Sequence, residues 1–117
     1  MTPFDCFPED IAEGRHSLAS DQLVVALSNS APSAGDNELA DITEISYTNC
    51  SSRNVTVSSS GQSGGIYTLV LADLTLTATG GSVGPFRYVV LYNSTTSGGP
   101  LIGWVDLGSA RTIQAAA

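Results

Sequence analysis

Residues 84–93 form the clearest strand candidate in the chain. In a strand their aromatic and aliphatic side chains divide between two faces, and Arg87 is the only charged residue among them. Because both faces are apolar, both should be covered, which favours a central position in a sheet. Gly84 and Pro85 begin the run, and the polar residues 93–100 end it with turn chemistry.

A second run, residues 22–27, is also apolar on both faces and predicts another central strand. The other candidates alternate more weakly. They are strands at 54–58, 66–77 with a bulge or bend at Ala72–Asp73, 101–107 and 110–114; a short strand or helical turn at 39–45; and a flexible turn at 59–65. In residues 101–107, strict alternation places Trp104 on the same face as Ile102.

Turn residues separate about seven short strands, without helical crossovers between consecutive ones. The sequence therefore predicts an all-β fold, an antiparallel β-sandwich over residues 21–117 that is jelly-roll-like or Ig-like. Periodicity does not determine strand order, so both topologies stay open. A short helix or arm is predicted for residues 1–20.

This N-terminal segment has its own pattern. Pro8 and the acidic residues after it predict a helix start, and Gly14 offers an end. The segment also carries more large apolar side chains than a solvated tail would keep, and a chain of 117 residues has a limited core for them. We therefore expect them to contact a sister subunit or another protein. The candidate inter-subunit contacts are Phe4, Phe7, Ile11 and Leu18.

The composition disfavours several partners. The chain has no Lys and four Arg against eleven acidic residues, with a formal net charge of −7. Phosphate backbones and anionic membranes need clustered basic residues, so no nucleic acid and no membrane is expected as a partner. No apolar run approaches ~18 residues, and the acidic N-terminus is unlike a signal peptide. Synthesis in a cytoplasm is expected.

The sequence contains no motif that indicates a catalytic site. His16 is the only histidine and is predicted to lie on the surface. Without a Gly-x-Ser-x-Gly motif or a nucleotide-binding glycine loop, no nucleophile–base pair can be proposed. We therefore expect no enzyme activity, no catalytic residue, no cofactor and no metal.

Four smaller features have alternatives that stay open. Cys6 and Cys50 are isolated thiols or form a disulfide that ties the N-terminal segment to the domain. Arg87 pairs with Asp73 or Asp106, or lies at a subunit contact. An acidic group is interpreted as a solvated loop or a calcium site; it consists of Asp36, Glu38, Asp41 and Glu44. An aromatic group is interpreted as part of the core or a sugar-stacking platform; it consists of Trp104, Tyr88 and Tyr92.

Four stretches together resemble a family of small structural proteins of tailed bacteriophages. They are Asp21–Pro32, Leu39–Ile45, Gly84–Asn93 and Pro100–Gly108. The resemblance covers roughly residues 4–112, and its last two stretches are the most specific.

The resemblance implies a virion protein, specifically a capsid decoration or cement protein. Such a protein would bind the outer surface of the head, with the major capsid protein and further copies of itself, as a dimer or trimer, as partners. It would be made in the bacterial host cytoplasm and end in the virion. The alternative is a carbohydrate- or receptor-binding module associated with the tail or a fibre.

Overall fold

The computed structural model describes residues 1–115, so residues 116 and 117 of the predicted domain lie outside the described residues. Within this part of the chain, no helix is long and apolar enough to cross a membrane. The elements are β1 (Thr2–Pro3), α1 (Phe7–Ala12), β2 (Leu23–Ser28), a 3-10 turn (Leu39–Asp41), β3 (Asn54–Val55), β4 (Val57–Ser63), β5 (Ile66–Leu71), β6 (Val83–Asn93) and β7 (Leu101–Ile113).

The seven strands form two antiparallel sheets. The larger has the order β1-β7-β6-β2-β3, and the smaller is the hairpin β4-β5. The prediction of an all-β antiparallel fold is confirmed. β6 lies at the centre of the larger sheet with β2 beside it, as their two apolar faces predict.

Apolar side chains cover both faces of the larger sheet. The face that carries Val90 is closed by Phe4, Ile42 and the half-buried Leu39. The face that carries Leu91 is closed by side chains from the N-terminal segment, the hairpin and the segment after it, namely Phe7, Leu18, Val57, Leu69, Leu71 and Leu74. The result is a sandwich-like arrangement in which the hairpin forms only part of the second layer.

The hairpin is longer than the sequence predicts. Residues 59–63, predicted as a flexible turn, belong to β4, and only Gly64 and Gly65 form the turn. Their φ values of 59° and 83° are those of a two-residue hairpin turn, which glycine adopts without strain. The Ser-rich β4 is extended because it pairs with the strong β-formers of β5.

A bulge places Trp104 on the opposite face from the one predicted. Leu91 pairs with Gly103, but Tyr92 pairs with Leu101, so Ile102 is an extra residue on β7. The extra residue changes the phase of alternation. Trp104 consequently packs with the cluster that contains Leu101, whereas Ile102 packs on the other face.

The N-terminal segment packs on its own domain. β1 pairs with β7, and the Phe4 amide donates a hydrogen bond to the Ile102 carbonyl at 3.1 Å. The Phe4 side chain is 1% exposed and lies in the core. In the single chain, therefore, β1 pairing carries the ring inward and away from the surface where an inter-subunit contact was predicted. The predicted helix is present as α1, and Gly14, at φ 77°, follows it.

Gly103 permits this close approach of β1 to β7. A Cβ atom there would lie 2.6 Å from Met1 Sδ and 2.9 Å from the Thr2 carbonyl oxygen. We expect Gly103→Ala to lower the free energy of unfolding by about 1–2 kcal/mol and to speed hydrogen exchange at the Phe4 amide. Gly35→Ala is the matched control, since its added Cβ would meet nothing within 4 Å. Equal effects of both substitutions would contradict the packing argument.

Candidate functional site

An apolar groove of about 410 Å³ opens between the N-terminal segment and the hairpin. Its lining residues are Phe7, Ile11, His16, Leu18 and Tyr67. We call this site the groove. It collects three of the four predicted contact residues, and only Phe4 lies elsewhere. Whether they contact another chain stays a prediction.

Local structure explains how the groove residues meet. Phe7 and Ile11 are four residues apart in α1 and therefore lie on one helix face. Leu18 follows in the turn at residues 17–20. Tyr67 reaches the groove from β5, and its hydroxyl lies 2.9 Å from the Ser60 hydroxyl across the hairpin. Ile11 stays 42% exposed and Tyr67 50% exposed, so the groove is open to solvent.

Asn93, at the end of β6, fixes the loop behind the groove. Its side chain is fully buried, and its amide nitrogen donates to Asp21 Oδ2 at 2.7 Å and to His16 Nδ1 at 3.0 Å. Its amide oxygen accepts the Thr95 backbone N–H at 3.0 Å. The carboxylate needs a donor and the Thr95 N–H needs an acceptor, so only one amide orientation satisfies both.

His16 is buried, contrary to the prediction of a surface histidine. It is 9% exposed, and its ring packs against Phe7 at 5.4 Å between centroids. Because Nδ1 accepts from Asn93, the neutral ring carries its proton on Nε2. Nε2 is buried without a hydrogen-bond partner among the described residues. A lone histidine in a loop gives no sequence signal for this burial, which follows from its contacts with Asn93 and Phe7.

Protonation of His16 should make stability depend on pH. Burial lowers the pKa of His16 below its ordinary value of 6.5, opposed by the carboxylates of Asp10 and Asp21 and aided by Arg15. The unfolded chain therefore binds the proton more readily than the folded one. We expect full stability above about pH 6.5 and a progressive loss as the pH falls below it, until the folded protein also binds the proton. Asp41 and Asp106, whose pKa values are lowered, contribute only at more acidic pH.

Chemical denaturation across this pH range measures the effect. His16→Gln keeps a polar side chain but removes the titration, and it should flatten the fall in stability below the ordinary histidine pKa of 6.5. An unchanged slope in the variant would assign the pH dependence to other groups.

The outer face of the hairpin is a second apolar surface. Ile66 is 70% exposed and Val70 is 44% exposed, both on β5. With Ile11 and Tyr67 they account for four of the six large hydrophobic residues that the described part of the chain leaves exposed. The groove and the hairpin thus present most of the exposed apolar side chains.

A polar pocket of about 450 Å³ lies on the other side of α1. Arg15 spans it, 3.2 Å from Asp10 and 3.2 Å from Glu38. Cys6 lines this pocket, and burial raises the pKa of its thiol, with Asp10 as the next contributor. A raised pKa keeps the thiol protonated and gives no activated nucleophile.

The acidic residues predicted as a possible calcium site engage separate partners. Asp36 accepts the Ser33 N–H, Asp41 accepts the N–H groups of Asn37 and Glu38, and Glu44 accepts the Tyr47 hydroxyl at 2.6 Å. Within residues 1–115, no group of three or more His, Cys, Asp or Glu side chains is placed to hold a metal ion. In the same range Cys6 and Cys50 are free thiols.

The remaining alternatives are also resolved by geometry. Arg87 forms a two-pronged ion pair with Asp106, at 2.8 Å and 3.1 Å, so the predicted pairing across the sheet is confirmed and Asp106 is the partner. The three aromatic residues do not share an exposed platform. Tyr92 is 7% exposed in the core, and Trp104 packs on Phe4 at 4.6 Å between ring centroids.

Comparison with protein-family models, curated proteins and solved structures finds no match for this chain. Sequence reasoning found Phe7, Ile11 and Leu18 through their apolar excess before the first strand, but it missed His16 and Tyr67. Alternation along β5 places Tyr67 on one face of the strand. Only the folded hairpin brings that face to the groove.

Proposed function

We propose that this chain is a structural protein of a tailed-bacteriophage virion. In this role it is a capsid decoration protein that binds the outer surface of the head and stabilises the shell. Its partners are the major capsid protein and further copies of itself. The sequence resemblance of residues 84–93 and 100–108 motivates the phage assignment.

The observation that carries an assembly role is the concentration of exposed apolar side chains at the groove and the hairpin. Exposed apolar side chains that are concentrated on two surfaces, the groove and the outer face of the hairpin, rather than scattered, favour protein–protein contacts. The groove offers a concave, apolar seat in which a side chain of a coat protein can be buried.

The charge of the chain favours the outer surface over the inner one. A protein that lines packaged DNA meets a dense array of phosphates, which repels a formal net charge of −7. On the outside of a shell the same charge keeps the particle soluble. Because many copies bind one shell, weak contacts of each copy together can stabilise the shell strongly.

Electron microscopy of the parent particle, with and without this protein, tests the location. We expect density for the domain at regular positions on the outer surface of the head, absent from particles that lack the gene. Density on the tail alone, or identical particles in both preparations, would reject the proposal.

A matched pair of variants tests the groove. Ile11→Glu places a charge at a groove residue that is 42% exposed, whereas Val105→Glu places the same charge on β7 at a residue that is 39% exposed. Cosedimentation with heads that lack the protein measures binding. Ile11→Glu should lose binding and Val105→Glu should keep it; equal binding would remove the groove from the contact.

A further inference from the structure

β5 presents an open strand edge. It pairs with β4 on one side, and within residues 1–115 no strand pairs with its other side. The two-residue turn makes Ser63 and Ile66 a hydrogen-bonded pair, so alternate residues of β5 point their backbone groups towards β4. The N–H and C=O groups of Tyr67 and Leu69 therefore point outwards, ready to pair with another strand.

The outer edge of β5 lacks charged residues and prolines, and the bulge of the hairpin lies on β4, between Val57 and Ser59. Proteins place charges, prolines or bulges on exposed edges, or keep them short. β1 and β3, the edges of the larger sheet, have two residues each. Residues 57–72 of the hairpin contain no charged residue and no proline. In an acidic chain, two copies can approach each other here without placing carboxylates face to face.

We propose that β5 pairs with β5 of a second copy, antiparallel and about a two-fold axis at Thr68. The two hairpins then form one four-stranded sheet. In this register Tyr67 lies opposite Leu69 of the second copy, and this is the hydrogen-bonded pair that their outward backbone groups require.

The side chains of this register are complementary. Ile66 lies opposite Val70 of the second copy, and the two-fold axis repeats the pair. Both residues are exposed in the single chain, at 70% and 44%, and cross-strand pairing covers them. The Tyr67 ring remains on the opposite face, at the groove, so pairing does not occupy the groove.

This pairing rests on the proposed function only in so far as that function includes contacts between copies of the chain. The pairing itself needs no coat protein. A six-residue strand buries less area than a standard protein interface. We therefore expect a dimer that is weak in solution and becomes effective when copies are held side by side on a shell.

Sedimentation velocity over roughly 10 µM to 1 mM measures the pairing, a range suited to a weak dimer. We expect a concentration-dependent dimer, and we expect Val70→Glu to weaken it at least about tenfold, because each dimer then holds two charges at the contact. Val105→Glu adds the same charge to β7 and should leave the dimer unchanged. Circular dichroism and thermal unfolding establish that both variants are folded. A wild-type monomer throughout, or equal weakening by both variants, would overturn the proposal.

Oxidative cross-linking tests the register. Thr68→Cys puts one new thiol beside its own copy across the axis, at a non-hydrogen-bonded pair where the two β-carbons approach closely. Thr112→Cys is the control, an exposed threonine of β7 outside the contact. We expect the Thr68→Cys dimer to form at least about tenfold faster, as the paired state raises its effective concentration. Equal rates would refute the register.

Head binding separates this inference from the proposed function. If Val70→Glu removes the dimer but heads still bind the variant, the decoration role stands without dependence on this edge. If the dimer forms and no head binds the wild-type protein, the edge pairing stands and the decoration role fails.

Discussion

Replacing Phe4 by alanine is expected to lower the free energy of unfolding by about 3–5 kcal/mol. The ring is 1% exposed and packs on Trp104, with 4.6 Å between ring centroids. Its loss leaves a cavity beside Val24 and Leu101, which are held rigidly by the central strands of the larger sheet and cannot collapse into it. Equilibrium denaturation with urea measures the change.

Phe7→Ala is the matched control for Phe4→Ala. Phe7 is half-buried at the groove rather than in the core, so its loss should cost only about 1–2 kcal/mol. The two substitutions remove the same type of side chain at positions three residues apart. A larger loss of unfolding free energy for Phe4→Ala than for Phe7→Ala would distinguish the core position from the surface position. If Phe4→Ala is as stable as the wild type, the N-terminal segment is detached in solution and Phe4 is available to a partner, as the sequence pattern predicts.

Replacing Asn93 by alanine is expected to cost about 2–4 kcal/mol, because it removes a fully buried amide and breaks three hydrogen bonds, one of them to the buried His16. The Thr95 N–H loses its acceptor, while Asp21 and His16 Nδ1 lose a donor. The loop at residues 16–21 then loses its link to β6. We expect the groove to widen or close, since this loop carries His16 and Leu18.

Two measurements check the Asn93 prediction. Urea denaturation should show the loss for Asn93→Ala and almost none for Asn54→Ala, since Asn54 is exposed on β3. Nitrogen NMR of the imidazole should show the Nε2–H tautomer of His16 in the wild type and a mixture in Asn93→Ala. A single Nε2–H tautomer in both proteins would mean that Asn93 does not fix the ring.

Self-association at the hairpin is favoured by the absence of charged residues there. Eleven acidic residues are spread over the chain, yet residues 57–72 contain none. Repulsion between copies is therefore smallest at the edge where the backbone is free to pair. The same property makes this edge the place where the protein would aggregate if its partners were absent.

Local sequence patterns predict the elements that have strong periodicity. The central position of β6, the interior position of β2 and the helix start before Ile11 follow from local patterns, because burial on two faces and helix-start chemistry are written in neighbouring residues. The apolar excess of the N-terminal segment was also visible, and it identified three groove residues.

The final positions of these side chains depend on contacts between distant segments of the chain. Phe4 enters the core because β1 pairs with a strand about a hundred residues later, and Trp104 changes face because of one extra residue opposite β6. His16 is buried because Asn93, 77 positions away in the chain, bonds to its ring. Periodicity reports the environment of neighbours along the chain, whereas pairing partners, bulges and long-range hydrogen bonds depend on how distant segments meet.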